Sequence, residues 1–164
     1  MVSRSGAPTA RATMARSTTG RPLARTFAAT AGTIFLIIGI LGFIPGITTD
    51  YYALQFAGHH SDAKLLGIFQ TSVLHNIVHL AFGVAGLAMS RTAAAARTFL
   101  IGGGAIYLVL WLYGLAVGYD SPANFIPMNT ADNWLHLGLG IGLIALGLAS
   151  TRGAGQRPRT PSGR

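Results

Sequence analysis

The sequence predicts an all-α fold: a four-span transmembrane helical bundle made of two duplicated helical hairpins. The first observation is compositional. Of the 164 residues, 51% are hydrophobic, only 10% are charged, and none is Glu, whereas a soluble domain carries about 25% charged residues. Second, four apolar stretches can be drawn, each about 20–25 residues, long enough at about 1.5 Å per residue to cross a hydrocarbon core of about 30 Å. Third, one pattern occurs twice within those stretches: Asn76-x-x-His79-Leu80-x-x-Gly83 and Asn133-x-x-His136-Leu137-x-x-Gly140. Lipid offers no hydrogen-bond partners, so the stretches are expected as helices that satisfy their own backbone groups.

In chain order, residues 1–25 hold Arg4, Arg11, Arg16, Arg21 and Arg25 among Ser, Thr, Pro and Gly, with no acidic residue. Such a segment buries too little apolar surface to fold alone, and a disordered basic tail is expected. The membrane domain covers 26–150. Its first span is expected over Phe27–Ile47, followed by an outer loop with Tyr51, Tyr52, His59, His60, Asp62 and Lys64. The second span is drawn over Leu65–Met89, then a short turn with Arg91 and Arg97, a third span over Thr98–Gly118, and a fourth over Ala131–Ser150. Residues 151–164 form a second basic tail with four further arginines.

All basic residues except Lys64 fall in the two tails or the turn between the second and third spans. The positive-inside rule therefore places both termini in the cytoplasm of a multi-pass cell-membrane protein, with Tyr51, Tyr52, Tyr119 and Trp134 near the outer interface. The first span is expected to remain uncleaved, since the Gly-Ile-Thr-Thr at its end is no convincing signal-peptide site. The net charge of +8 belongs mainly to the tails. Their expected partners are the bilayer and its anionic lipids rather than nucleic acid, because interleaved aromatic residues are missing.

Gly32, Gly42 and Gly46 of the first span match Gly104, Gly114 and Gly118 of the third at a constant offset. The histidine motifs fall in the second and fourth spans. Two hairpins of like orientation, related by a pseudo-twofold axis along the membrane normal, follow from that pairing. One ambiguity stays open. The motif pairs His136 with His79, but His75 and His136 each lie sixteen residues before an arginine, Arg91 and Arg152, which pairs them by depth. An extra turn at the inner end of the fourth helix would reconcile the two.

The candidate polar intramembrane site is His75, Asn76, His79, Asn133 and His136. At spacings of three and four these residues share one stripe with small residues on each helix, turned inward because lipid has no use for it. The leading reading is structural: neutral imidazoles hydrogen-bonded across the bundle to Asn76, Asn133, Tyr107, Tyr113 or backbone carbonyls. A second is a divalent metal or b-type haem held by His75, His79 and His136, favoured by the spacing of four but lacking the Glu of a zinc-protease motif. A third is a small transporter or proton relay working as an oligomer, with Asp50, Asp62, Asp120 and Asp132 around its outer mouth. A fourth is an accessory subunit of another membrane protein.

With no cysteine there is no disulfide, thiolate site or c-type haem attachment. Gly102–Gly104 lacks the Lys and Ser/Thr of a phosphate-binding loop. A Ser72, His75, Asp132 triad has no nucleophile elbow to support it, and His59, His60 and Asp62 read as a solvated loop cluster. No cofactor and no catalytic role are expected.

Three segments carry a family resemblance: Gly42-Phe-Ile-Pro-Gly-Ile-Thr-Thr-Asp-Tyr, Leu74-His-Asn-Ile-Val-His-Leu-Ala-Phe-Gly-Val-Ala-Gly-Leu and Asn129-Thr-Ala-Asp-Asn-Trp-Leu-His-Leu-Gly-Leu-Gly. Together they resemble the domain of unknown function 4383 family, over about Arg25 to Ser150. The resemblance implies a small bacterial, mainly actinobacterial, membrane protein with four helices, and it implies no mechanism.

Overall fold

The structure, a computed structural model, describes residues 20–150. Most of the predicted 1–25 tail and all of the 151–164 tail lie outside the described residues; residues 20–25 are helical. Four helices carry the fold: α1 Gly20–Leu41, α2 Val73–Met89, α3 Ala93–Ala116 and α4 Thr130–Ala149. The expected helical bundle is formed. By length and composition, three helices can cross a membrane: α1 over Leu23–Leu41, α3 and α4. The 17-residue α2 is shorter, about 25 Å at the α-helical rise.

The helix ends follow from local chemistry. Pro22 sits in the first turn of α1, where its missing N–H is not required. The helix stops at Leu41, six residues before the expected end, because Gly42, Pro45 and Gly46 follow and Gly46 takes φ 90°. Ser72, Thr92 and Asn129 cap α2, α3 and α4, each side-chain oxygen accepting a backbone N–H three residues on.

The largest departure lies at Leu65–Gln70, which the sequence reading joined to the second helix. There the chain instead forms strands β2 (Lys64–Leu65) and β3 (Phe69–Gln70), and β1 (Thr48–Thr49) pairs with β2 to give an antiparallel sheet ordered β1-β2-β3. Leu66 at φ 56° and Gly67 at φ 71° turn the chain between β2 and β3, a conformation no α-helix tolerates. An apolar run alone does not distinguish such a hairpin from a helix turn.

Helix α1 packs on α2 and α3 on α4, and the two hairpins meet mainly along α1 and α3. Ala24, Ala28, Phe35, Ala96, Phe99, Leu100, Tyr107 and Leu143 form the core. Close backbone approach sets both hairpins: a Cβ on Gly32 would fall 2.9 Å from the Gly83 carbonyl oxygen, and one on Gly104 would fall 2.7 Å from that of Gly140. Leu36 covers Gly83 as Leu108 covers Gly140. Each of these pairs maps onto the other at the offsets that relate Gly32 to Gly104 and His79 to His136. The N-caps Ser72 and Asn129 obey the same relation.

Candidate functional site: a histidine cluster shared by two cavities

The caps place the site. Ser72 starts α2 by accepting from the His75 backbone N–H at 3.1 Å, which puts His75 in the first turn and His79 one turn on. Asn129 starts α4 through a reciprocal capping box with Asp132, which puts Asp132 in the first turn and His136 one turn on. Two pairs of side chains, each four residues apart, thus project at the same level near the loop end of the bundle.

All three histidines line two neighbouring cavities. The smaller, about 120 Å³, also touches Gln70, Thr71, Asn76 and Asp132. The larger, about 300 Å³, lies between α2 and α3 and also touches Ser72, Phe82, Tyr107 and Phe125. The His75 and His79 rings lie 4.5 Å apart between centroids. His79 abuts Phe35 at 5.8 Å, and His136 abuts Tyr107 at 5.3 Å. His79 Nδ1 donates to the His75 carbonyl at 3.0 Å, because that oxygen can only accept; in the neutral ring Nε2 of His79 is then the acceptor. The Gln70 backbone lies against His75. Nδ1 of His75 and Nδ1 of His136 are buried without a hydrogen-bond partner among the described residues.

Asn76 and Asn133 are buried but stand apart from the imidazoles. Asn76 Oδ1 accepts from Thr71 Oγ1 at 2.6 Å and its amide fills the space over Gly42. Asn133 occupies the equivalent space over Gly114, its Oδ1 unpartnered. These are matched packing positions, and the hydrogen bonds expected from the histidines to either Asn are not made. Tyr113 donates instead to the Ala123 carbonyl.

Asp132 also differs from its expected place with Asp50, Asp62 and Asp120 around an outer mouth. It is only 2% exposed, and Oδ2 accepts from the Gln70 N–H at 2.9 Å and the Asn129 N–H at 3.0 Å, clipping β3 to α4. Asp50, Asp62 and Asp120 are exposed. The Ser72 hydroxyl serves the cap and Asp132 serves backbone amides, so no hydroxyl–imidazole–carboxylate chain forms. His59 and His60 lie side by side in the outer loop, 3.9 Å between ring centroids. Among the described residues, no group of three or more His or Asp is placed to hold a metal ion.

The sequence pattern missed Gln70 and Thr71, which lie in the segment read as helix. It also left the histidine pairing open. His79 and His136 are the related pair, since their neighbours Phe35 and Tyr107 are related too. Met89 corresponds to Leu146, and α4 runs on to Ala149, the additional turn that makes the His75 and His136 spacings to the arginines agree.

No curated protein and no solved structure matches the chain. The family model described as a domain of unknown function (DUF4383) matches residues 25–149, and the chain belongs to that family.

Proposed function

We propose that the chain is a four-span membrane protein with both termini in the cytoplasm, and that its histidine cluster binds a small neutral ligand without catalysing a reaction. Support for the four spans comes from outward apolar side chains on every helix, α2 included: Ile37, Val84, Val109 and Ile141 are 49%, 60%, 63% and 57% exposed. In water such surfaces would be sticky; in lipid they are solvated. Orientation rests on the basic residues at the turn-and-termini end, where Arg25 Nε donates to the Ser90 carbonyl at 3.0 Å. The same basic end attracts anionic headgroups.

One observation carries the binding reading: three imidazoles meet at two cavities while two of their buried nitrogens have no partner. A group left in that state costs about 1–3 kcal/mol, and these two nitrogens belong to rings that line cavities with room for a partner, unlike Asn133 Oδ1, which is packed against Gly114. The test is absorption spectroscopy, metal analysis and solvent extraction of protein purified in mild detergent. A metal-free, haem-free protein carrying a small compound that His79→Ala and His136→Ala lose is expected; an empty wild type overturns the reading.

A second reading, a proton relay in an oligomer, is favoured by Asp132 and His136 facing His75 and His79 around one cavity. Proton flux in liposomes that is abolished by His79→Ala and His136→Ala supports it, and flux unaffected by both removes it.

A further inference from the structure

We infer that the larger cavity takes a neutral, planar, lipid-soluble ring bearing carbonyl or hydroxyl oxygens, of the quinone–quinol class, which enters from the bilayer between α2 and α3. This rests on the ligand-site reading above and adds the chemical class and the route.

The route follows from the rim. Val78 on α2, Ile106 on α3 and Phe125 in the following loop line the cavity and are 46%, 49% and 54% exposed. The mouth is therefore flanked by the apolar outer surface of the bundle, and whatever enters there comes from hydrocarbon. The class follows from the walls. Phe82, Tyr107 and Phe125 offer aromatic faces and edges to a flat ring. Among the described residues lining the cavity there is no Arg, Lys or Asp, so a phosphate or carboxylate head would meet no fixed counter-charge and could be neutralised only by protonating a buried imidazole.

The polar floor suits ring oxygens. His79, with Nδ1 committed to the His75 carbonyl, keeps an acceptor nitrogen for a hydroxyl. A neutral imidazole at His136 adds one donor and one acceptor, while the His75 ring is already engaged by the Gln70 backbone. About 300 Å³ is at the small end of ligand pockets, so it accommodates a ring and the start of a chain, with the tail left in lipid through the open mouth.

The probe is decylubiquinone, with decanol as a tail-only control, added to full-length protein in phosphatidylcholine nanodiscs and followed by equilibrium binding and thermal unfolding. Saturable binding of one decylubiquinone per chain and a raised Tm are expected, with neither effect from decanol. His136→Phe, which removes an imidazole able to donate to a quinone carbonyl, is expected to weaken binding about tenfold or more. Ile106→Trp, which narrows the mouth without touching the histidines, is expected to do the same and guards against a folding defect in the first variant. Wild type that does not bind decylubiquinone saturably, or Ile106→Trp that binds it as wild type does, overturns the proposal. A wild type that rejects decylubiquinone yet yields another extracted compound overturns the class alone and leaves the ligand site standing.

Discussion

Phe35 and Tyr107 stack in an offset parallel arrangement, ring centroids 5.6 Å apart and planes 11° from parallel, where α1 meets α3. They are equivalent positions of the two hairpins, so the pseudo-twofold axis passes between their rings. Outward from this stack lie His79 against Phe35 and His136 against Tyr107. The histidine cluster is thereby held by the same contact that joins the hairpins.

Truncating that stack should separate the hairpins. Tyr107 is 4% exposed, and Tyr107→Ala is expected to cost about 3–5 kcal/mol, the range for deleting a buried aromatic ring. Tyr107→Phe keeps the ring and should cost about 1 kcal/mol or less. Reversible unfolding in mixed micelles measures both, and equal losses would show that the hydroxyl rather than the stack matters.

The third helix offers an internally controlled pair of glycines. A Cβ on Gly104 meets backbone atoms of α4, the Gly140 oxygen at 2.7 Å and the Ile144 nitrogen at 3.0 Å, whereas one on Gly102 meets nothing within 4 Å. Gly104→Ala should destabilise the α3–α4 hairpin by about 1–3 kcal/mol through overpacking. Gly102→Ala should be neutral or stabilise by up to about 1 kcal/mol. The same unfolding assay separates them, and comparable effects would refute close α3–α4 contact as the cause.

Asp132 should act as a clip. Asp132→Ala leaves the Gln70 and Asn129 N–H groups without their acceptor and is expected to cost about 1–3 kcal/mol, with faster amide exchange at Gln70. Asp132→Asn retains an acceptor oxygen and should recover most of the protection. Unchanged exchange at Gln70 in the Ala variant would count against this role.

The orientation has a direct check. A reporter fused after Arg164 is expected to be active in its cytoplasmic form and silent in its periplasmic form; the reverse pattern would invert the topology.

How far the site could be read in advance differs by residue. His75, His79 and His136 were legible because their spacing matches the helical repeat, whereas Ser72 falls inside the apolar run read as the second span, so its role as the cap of α2 was not. Gln70 and Thr71 were not, since they lie after a Leu-Leu-Gly-Ile-Phe segment whose apolar character fits a helix equally well. The backbone sign at Leu66 and Gly67 decides otherwise. Asp132 reads from the sequence as one of four outer acidic residues and not as the anchor of β3, because the bond that makes it so spans 62 residues.

By itself the sequence determined the apolar helices and the repetition of the hairpin, because composition and periodicity are local properties that survive without tertiary context. Only the tertiary structure decided that His79 pairs with His136 through Phe35 and Tyr107, that Asn76 and Asn133 fill matched glycine notches, and that the loop before α2 is a small sheet. Those outcomes depend on which surfaces meet at van der Waals distance, and close packing between distant segments leaves no signature in either segment alone.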